Sequence, residues 1–300
     1  MVDSVIEIKN LSRSFGKKIA LSNINLSVPA GCVFGLVGEN GAGKTTLLKH
    51  VLGMLKVKSG DVSVFGKNPV ADPVSVLSRI GHLSEDRAIP GWMKVEDVLS
   101  FTKSFYKKWD SSFADELKEL FALDAKQRVR TLSRGQKARL GLLAALAHRP
   151  DLLVLDEPSS GLDPSVRQDI LAAIIRTVAD EGRTVLFSSH LLDEVQRVSD
   201  RVAMLHEGKL VLSDELDTIL ASHHRITVRF PNVVNKPNFS AAIGVSGHGR
   251  EWLVICNGQQ QLLEKEIQSL DGEIVDRDSP SLDEIFLARC KTSSKSEVTQ

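Results

Sequence analysis

Residues 33–52, VFGLVGENGAGKTTLLKHVL, restrict this chain more than any other stretch. A short apolar run, Val33 to Val37, closes on a glycine-rich loop, and helical apolar spacing follows at Leu47, Leu48, Val51 and Leu52. Short buried runs closed by a turn suit strands of a parallel sheet. The pattern Gly38-x-x-x-x-Gly43-Lys44-Thr45, set between strand and helix, is that of a loop that wraps phosphate. Gly41 and Gly43 let the backbone turn its N–H groups inward, and the helix start adds partial positive charge. Lys44 would then reach the β- and γ-phosphates of a nucleotide, and the Thr45 hydroxyl would coordinate Mg²⁺. The expected nucleotide-binding set is Gly38, Glu39, Asn40, Gly41, Ala42, Gly43, Lys44, Thr45 and Thr46. A mere glycine turn before an amphipathic helix would need the glycines, the lysine and the threonine to fall into this spacing by chance.

A second apolar run, LLVLDE from Leu152 to Glu157, reads as a buried strand that delivers carboxylates at its C-terminal end. Ligands gather at that end of parallel sheets. Asp156 is placed for the Mg²⁺ shell, and Glu157 for the general base that activates water. Alone, the same residues fit an acidic turn before Pro158; the phosphate loop upstream favours the chemical reading.

The rest of the chain alternates in the same manner. The first 30 residues read as strands, with Ile6 and Ile8, then Ile24 and Leu26, alternating with polar residues. Short strands are expected around Val62 and Val64, at Ile80–Leu83, Val185–Ser188 and Arg201–Leu205, with a helix from Pro164 to Ala179. Lys94 to Ala147 reads as helical throughout. Alternating β and α elements interrupted by a helical block imply an α/β fold, a parallel-sheet core with N-terminal antiparallel strands and a helical insertion. Composition shifts after Leu220, where DELDTIL closes the first unit. The expected division is 1–220, with a helical subdomain at about 90–148, then a small α+β unit at 221–290 and a frayed polar tail at 291–300. In the second unit ITVRF and WLVIC read as strands, QLLEKEIQSL and SLDEIFLARC as helices.

Composition excludes several classes. With 42% hydrophobic and 25% charged residues, neither disorder nor a fibrous repeat is expected. Lys+Arg and Asp+Glu are 38 each, so the basic excess of a nucleic-acid binder is missing. Cys32, Cys256 and Cys290 form neither a disulfide framework nor a zinc motif, which suits a reducing, cytosolic compartment. The N-terminus has no apolar signal region. The longest nearly apolar stretch, Leu140–Ala147, is far short of the ~20 residues a membrane span needs.

Further motifs make a resemblance specific. LSRGQ lies at Leu132–Gln136, PSSGLD at Pro158–Asp163, and His190 ends VLFSSH. With the glycine loop and the strand ending in Asp156 and Glu157, in this order, they resemble the ATP-binding subunit of ABC transporters over residues 1 to about 220. The resemblance implies a P-loop NTPase fold and a head-to-tail pair of subunits with ATP between one P-loop and the other's LSxGQ. Ser133, Arg134, Gly135 and Gln136 would then act in trans, with Ser133 and the Gly135 backbone at the γ-phosphate. Asp163 would lie in the loop that couples the two sites. His190 would bond the γ-phosphate and hold water and Glu157 in line. Phe15 matches the aromatic that stacks on adenine, although a Phe before a glycine turn also suits a core.

Two positions depart from the family pattern. Glu85, in IGHLSEDR, stands where Gln is usual. It keeps an oxygen ligand for Mg²⁺ beside Thr45 and Asp156 while adding charge; with the loop shifted it is an exposed acid instead. Arg134 stands where Gly is commonest, at a position that tolerates outward side chains. The small second unit ending in SLDEIFL, and the FYKKWD stretch, are similar to the ATPases of two-component exporters, whose membrane spans belong to a separate permease. The expected partners are a second ATPase subunit, identical or paired, and an integral membrane permease; the expected cofactors are ATP and Mg²⁺; the expected location is the cytoplasmic membrane face, held through the permease. The competing reading is a soluble ATPase of the same family acting on nucleic acid or ribosomes. The second unit reads as a packing or dimer-stabilising appendage, with a regulatory ligand domain as the alternative.

Overall fold

The computed structural model describes residues 4–86, 88–179 and 182–293. The chain opens with β1 (Ser4–Phe15) and β2 (Lys18–Pro29), then β3 (Val33–Val37), α1 (Lys44–Val51) and β4 (Ser59–Val64). A short α2 (Pro73–Leu77) leads to β5 (Ile80–Leu83), after which come α3 (Val95–Lys103), α4 (Ser111–Leu120) and α5 (Arg134–Leu146). The alternation resumes with β6 (Leu152–Asp156), α6 (Pro164–Ala179), β7 (Thr184–Ser189), α7 (Leu192–Val198), β8 (Arg201–His206) and β9 (Lys209–Glu215).

Two sheets frame the first unit. β2, β1 and β4 form an antiparallel sheet in that order. Its inward residues Ile6, Ile8, Ile24 and Leu26 join a core with Phe34, Leu36, Leu47 and Leu48. The parallel strands run β5-β6-β7-β3-β8. Every residue of β3, β6 and β7 is buried, as expected where a sheet is covered on both faces. Those three strands end side by side, so Gly38, Asp156 and Ser188–His190 follow from neighbouring strand ends.

The block from Lys94 to Ala147 is not one helical run. Asp110 caps α4 by accepting from the Phe113 N–H at 3.0 Å, and Ser133 caps α5. Such side chains compete with helix backbone bonds and start new helices, so the block breaks where they occur.

The chain divides into two compact units at Leu210/Val211, within β9 and ahead of DELDTIL. The second unit holds α8 (Leu216–Ser222), β10 (His223–Arg229), β11 (Ala242–His248), β12 (Glu251–Asn257), α9 (Gln260–Ser269), β13 (Glu273–Asp278) and α10 (Leu282–Ser293). Its antiparallel sheet runs β11-β12-β10-β13, over a core that includes Ile226, Val228, Trp252, Val254 and Leu263. The sequence reading missed both edge strands. β11 (AIGVSGH) is broken by Gly244 and Gly247, and β13 (EIVDRD) is largely charged and exposed. Edge strands carry such residues because they discourage pairing with other chains, and this erases the apolar alternation. α10 continues through Ser293, into the stretch expected to fray; residues 294–300 lie outside the described residues.

Candidate functional site

The glycine loop is built around its own lysine. Lys44 Nζ donates to the carbonyls of Gly38 (2.6 Å) and Glu39 (3.2 Å), closing the loop. Gly43, the N-cap of α1, has φ 113°, and a Cβ there would lie 2.6 Å from the Ala20 carbonyl oxygen, so no other residue fits. The first turn of α1 carries no acidic side chain, which leaves its N-terminal dipole available to an anion. Ala42 is buried, its N–H bonded to the Glu39 carbonyl.

The strand-end carboxylates meet this loop. Lys44, Asp156 and Glu157 are 5%, 5% and 4% exposed. Lys44 Nζ lies 3.0 Å from Glu157 Oε1. Thr45 Oγ1 donates to Asp156 Oδ1 at 3.2 Å. His190 Nδ1 lies 2.7 Å from Glu157 Oε2. Because an ionised carboxylate only accepts, Nδ1 carries the proton in that bond. Burial holds the neighbouring His82 imidazole below its usual range, against the opposing pull of Asp156.

Ser188 ties the two carboxylates together and was not singled out in the sequence. Its fully buried hydroxyl donates to Asp156 Oδ1 (2.7 Å) and accepts from the Glu157 N–H (2.9 Å). Glu157 itself takes a left-handed backbone conformation, φ 48°. A bulky side chain held there is strained and needs its surroundings to fix it. The available signal was a pair of serines ending an otherwise apolar strand, a poor place for an unpartnered hydroxyl.

Phe15, Asn40, Gly41, Gly43, Lys44, Thr45, Thr46, Glu85 and Glu157 line one cavity of about 390 Å³. That size suits a ligand of nucleotide dimensions. Asp156 adjoins it through Thr45, and His190 through Glu157. Phe15 is 47% exposed, with the Arg13 guanidinium 4.7 Å from its ring centre. Lys18, also lining the cavity, pairs with Phe15 across the β1–β2 hairpin and could have been inferred from that register.

The second group of motif residues stands apart. Ser133, Arg134, Gly135, Gln136 and Asp163 do not line this cavity. LSRGQ folds as a capping box: Gln136 N–H donates to Ser133 Oγ (3.1 Å) and Ser133 N–H to Gln136 Oε1 (2.9 Å). The N–H groups of Arg134 and Gly135 in the first turn have no acceptor within the helix, so this end can receive an anion. A Cβ on Gly135 would meet Val166 Cγ2 at 2.8 Å, so glycine also lets α5 approach α6. Ser133, Arg134 and Asp163 are exposed.

The ABC transporter family profile matches residues 21–160. The bacitracin transport ATP-binding protein BcrA of Bacillus licheniformis is 33% identical over 215 residues, covering 70% of this chain and 69% of the relative. The lantibiotic transport ATP-binding protein SrtF of Streptococcus pyogenes is 34% identical over 214 residues, covering 71% of this chain and 92% of the relative. A solved ATP-binding subunit of an ABC transporter superposes with a TM-score of 0.67 at 25% identity, covering 73% of this chain and 92% of that one. A glycine loop closed around Lys44, buried carboxylates at the neighbouring strand ends and relatives of this kind lead to one assignment: the chain belongs to the ABC transporter family, among its ATP-binding, ATP-hydrolysing subunits.

Proposed function

We propose that this subunit is the motor of a two-component exporter: two copies, or this chain and a paired ATPase subunit, close around two ATP molecules and drive a separate membrane permease. The observation that carries the chemistry is the single network joining Lys44, Glu157, His190, Ser188, Asp156 and Thr45 at one cavity. Lys44 holds the β- and γ-phosphates, and the loop N–H groups cradle them. A phosphate that reaches Lys44 competes with Glu157 for it, and the exchange leaves Glu157 Oε1 to accept the proton of an attacking water. His190 keeps Glu157 oriented and meets the γ-phosphate. Ser133 and Gly135 of the opposing subunit complete the charge neutralisation, and Asp163 lies at the seam between the sites.

Thr45, Asp156 and Glu85 fit Mg²⁺. The Thr45 hydroxyl and Asp156 carboxylate are 3.2 Å apart, and Glu85 lines the same cavity, a set of hard oxygens with few protein ligands. When bound, the ion neutralises charge on the phosphates. Ser188→Ala is expected to lower kcat about 10- to 100-fold, because the Glu157 N–H and an Asp156 oxygen lose their shared partner. The KM for ATP should stay within about threefold, since the hydroxyl bonds Asp156 and the Glu157 backbone and no residue of the glycine loop. Steady-state kinetics beside direct ATP titration check this; an unchanged kcat would remove Ser188 from the positioning network.

No described helix is long and apolar enough to cross a membrane. Trp92, Phe101 and Phe105 stand exposed on the helical block, where a partner would cover them. The relatives named for bacitracin and lantibiotic transport support cargo of that kind. Affinity purification of the full chain from detergent-solubilised native membranes tests the partner. A stoichiometric multi-span protein is expected; recovery with ribosomal or DNA-associated chains alone would overturn the permease reading and leave the ATPase chemistry standing.

A further inference from the structure

The loop that carries Asp163 is gripped at both ends by one carboxylate that no motif contains. Glu194 lies on α7, just after His190, and is 5% exposed. One of its oxygens, Oε2, accepts from the hydroxyl of Ser159, itself 1% exposed and two residues beyond Glu157. The other, Oε1, lies 3.7 Å from Arg167 Nη1 and has no hydrogen-bond partner among the described residues. Arg167 carries the contact onward: its side-chain Nε donates to the Leu162 carbonyl (3.0 Å), while its backbone N–H, in the first turn of α6, donates to the Asp163 carbonyl (3.1 Å). Glu194 therefore holds the start of the loop directly and its end through Arg167. On the other side it is four residues from His190, whose ring bonds Glu157.

Stability does not account for this arrangement. A buried carboxylate with one oxygen unsatisfied adds little to folding, and a neutral residue of the same shape often does as well or better. Burial pushes the Glu194 carboxyl above its ordinary range, while Ser159 and Arg167 oppose the shift. What the arrangement does provide is a rigid connection between the segment that meets the γ-phosphate and the loop at the subunit seam.

We propose that Glu194 is a positioning residue that couples His190 to the Asp163 loop, so that the phosphate state of one site sets the geometry offered to the other. The proposal rests on the paired-subunit reading above. Glu194→Gln keeps an acceptor for Ser159 but places an amide where Arg167 needs a negative charge; Ser159→Ala cuts the other arm. In the full-length protein, ATP hydrolysis against ATP concentration should be sigmoidal, with a Hill coefficient approaching about 2 for two coupled sites. In each variant it should fall toward about 1. The melting temperature should hold or rise in Glu194→Gln, which a merely structural role would lower.

Cooperativity retained in both variants would overturn the proposal, as would a fall in Glu194→Gln that accompanies unfolding while Ser159→Ala stays cooperative. ATP-dependent association of Glu157→Gln, followed by sedimentation, separates the two readings. A dimer there together with non-cooperative wild-type turnover would overturn the coupling alone. Absence of any ATP-dependent dimer would overturn the paired-subunit reading and the coupling with it.

Discussion

Glu157→Gln abolishes steady ATP turnover while ATP still binds: kcat is expected to fall about 10²- to 10⁴-fold, the range for loss of a general base. The geometry makes the substitution informative. Glutamine keeps the size of the side chain and an acceptor for His190 Nδ1, now 2.7 Å from Glu157 Oε2. It cannot take a proton from water, and it no longer neutralises Lys44, 3.0 Å from Oε1. Phosphates then meet a lysine without a competing carboxylate, so ATP affinity should be equal or tighter. The closed dimer, unable to hydrolyse, should accumulate and be visible by sedimentation. Without nucleotide the variant should melt lower than wild type, because a buried cation has lost its counter-charge. Added ATP should restore more stability than it gives the wild type. Turnover within about threefold of wild type would show that another group is the base.

Lys44→Ala is expected to cripple nucleotide binding. Lys44 is 5% exposed and its ammonium holds the Gly38 and Glu39 carbonyls as well as Glu157. Losing charge-assisted bonds to phosphate is expected to weaken ATP affinity about 100-fold. The same change leaves Glu157 buried without its cation, so the melting temperature should fall too. Lys44→Met preserves much of the volume and separates the loss of charge from the loss of packing. Calorimetric titration with ATP, alongside thermal melts of both variants, checks the two effects. A Lys44 variant that binds ATP as tightly as wild type would sink the assignment of the phosphate loop.

The parts of the site that were legible in the sequence are those whose chemistry is local. The glycine loop is legible because Gly43 adopts a backbone conformation other residues avoid, and because helix start and lysine lie within a few residues of each other. LSRGQ carries its own instruction to begin a helix, since Ser133 and Gln136 bond each other's backbone. Strands β3, β6 and β7 show as apolar runs because they are covered on both faces. Where burial is weaker the pattern fades: β11 and β13, at the edges of the second unit's sheet, carry glycines and charges and pass for loop. The unit boundary at Leu210/Val211 was equally illegible, because it follows from packing and not from the composition shift after Leu220.

The glycine loop, the acidic strand end, the parallel-sheet alternation and the capped helix start at Ser133 are thus written in the sequence, all products of torsion, helix capping and apolar periodicity over short spans. Only the tertiary structure decided that Lys44 and Glu157 form a buried ion pair, that Ser188 bonds both Asp156 and the Glu157 N–H, and that Glu194 holds Ser159 and Arg167. These contacts join residues from different strands and helices. Nothing in a serine or a glutamate says which distant backbone it will meet until the strand order β6-β7-β3 has brought their ends together.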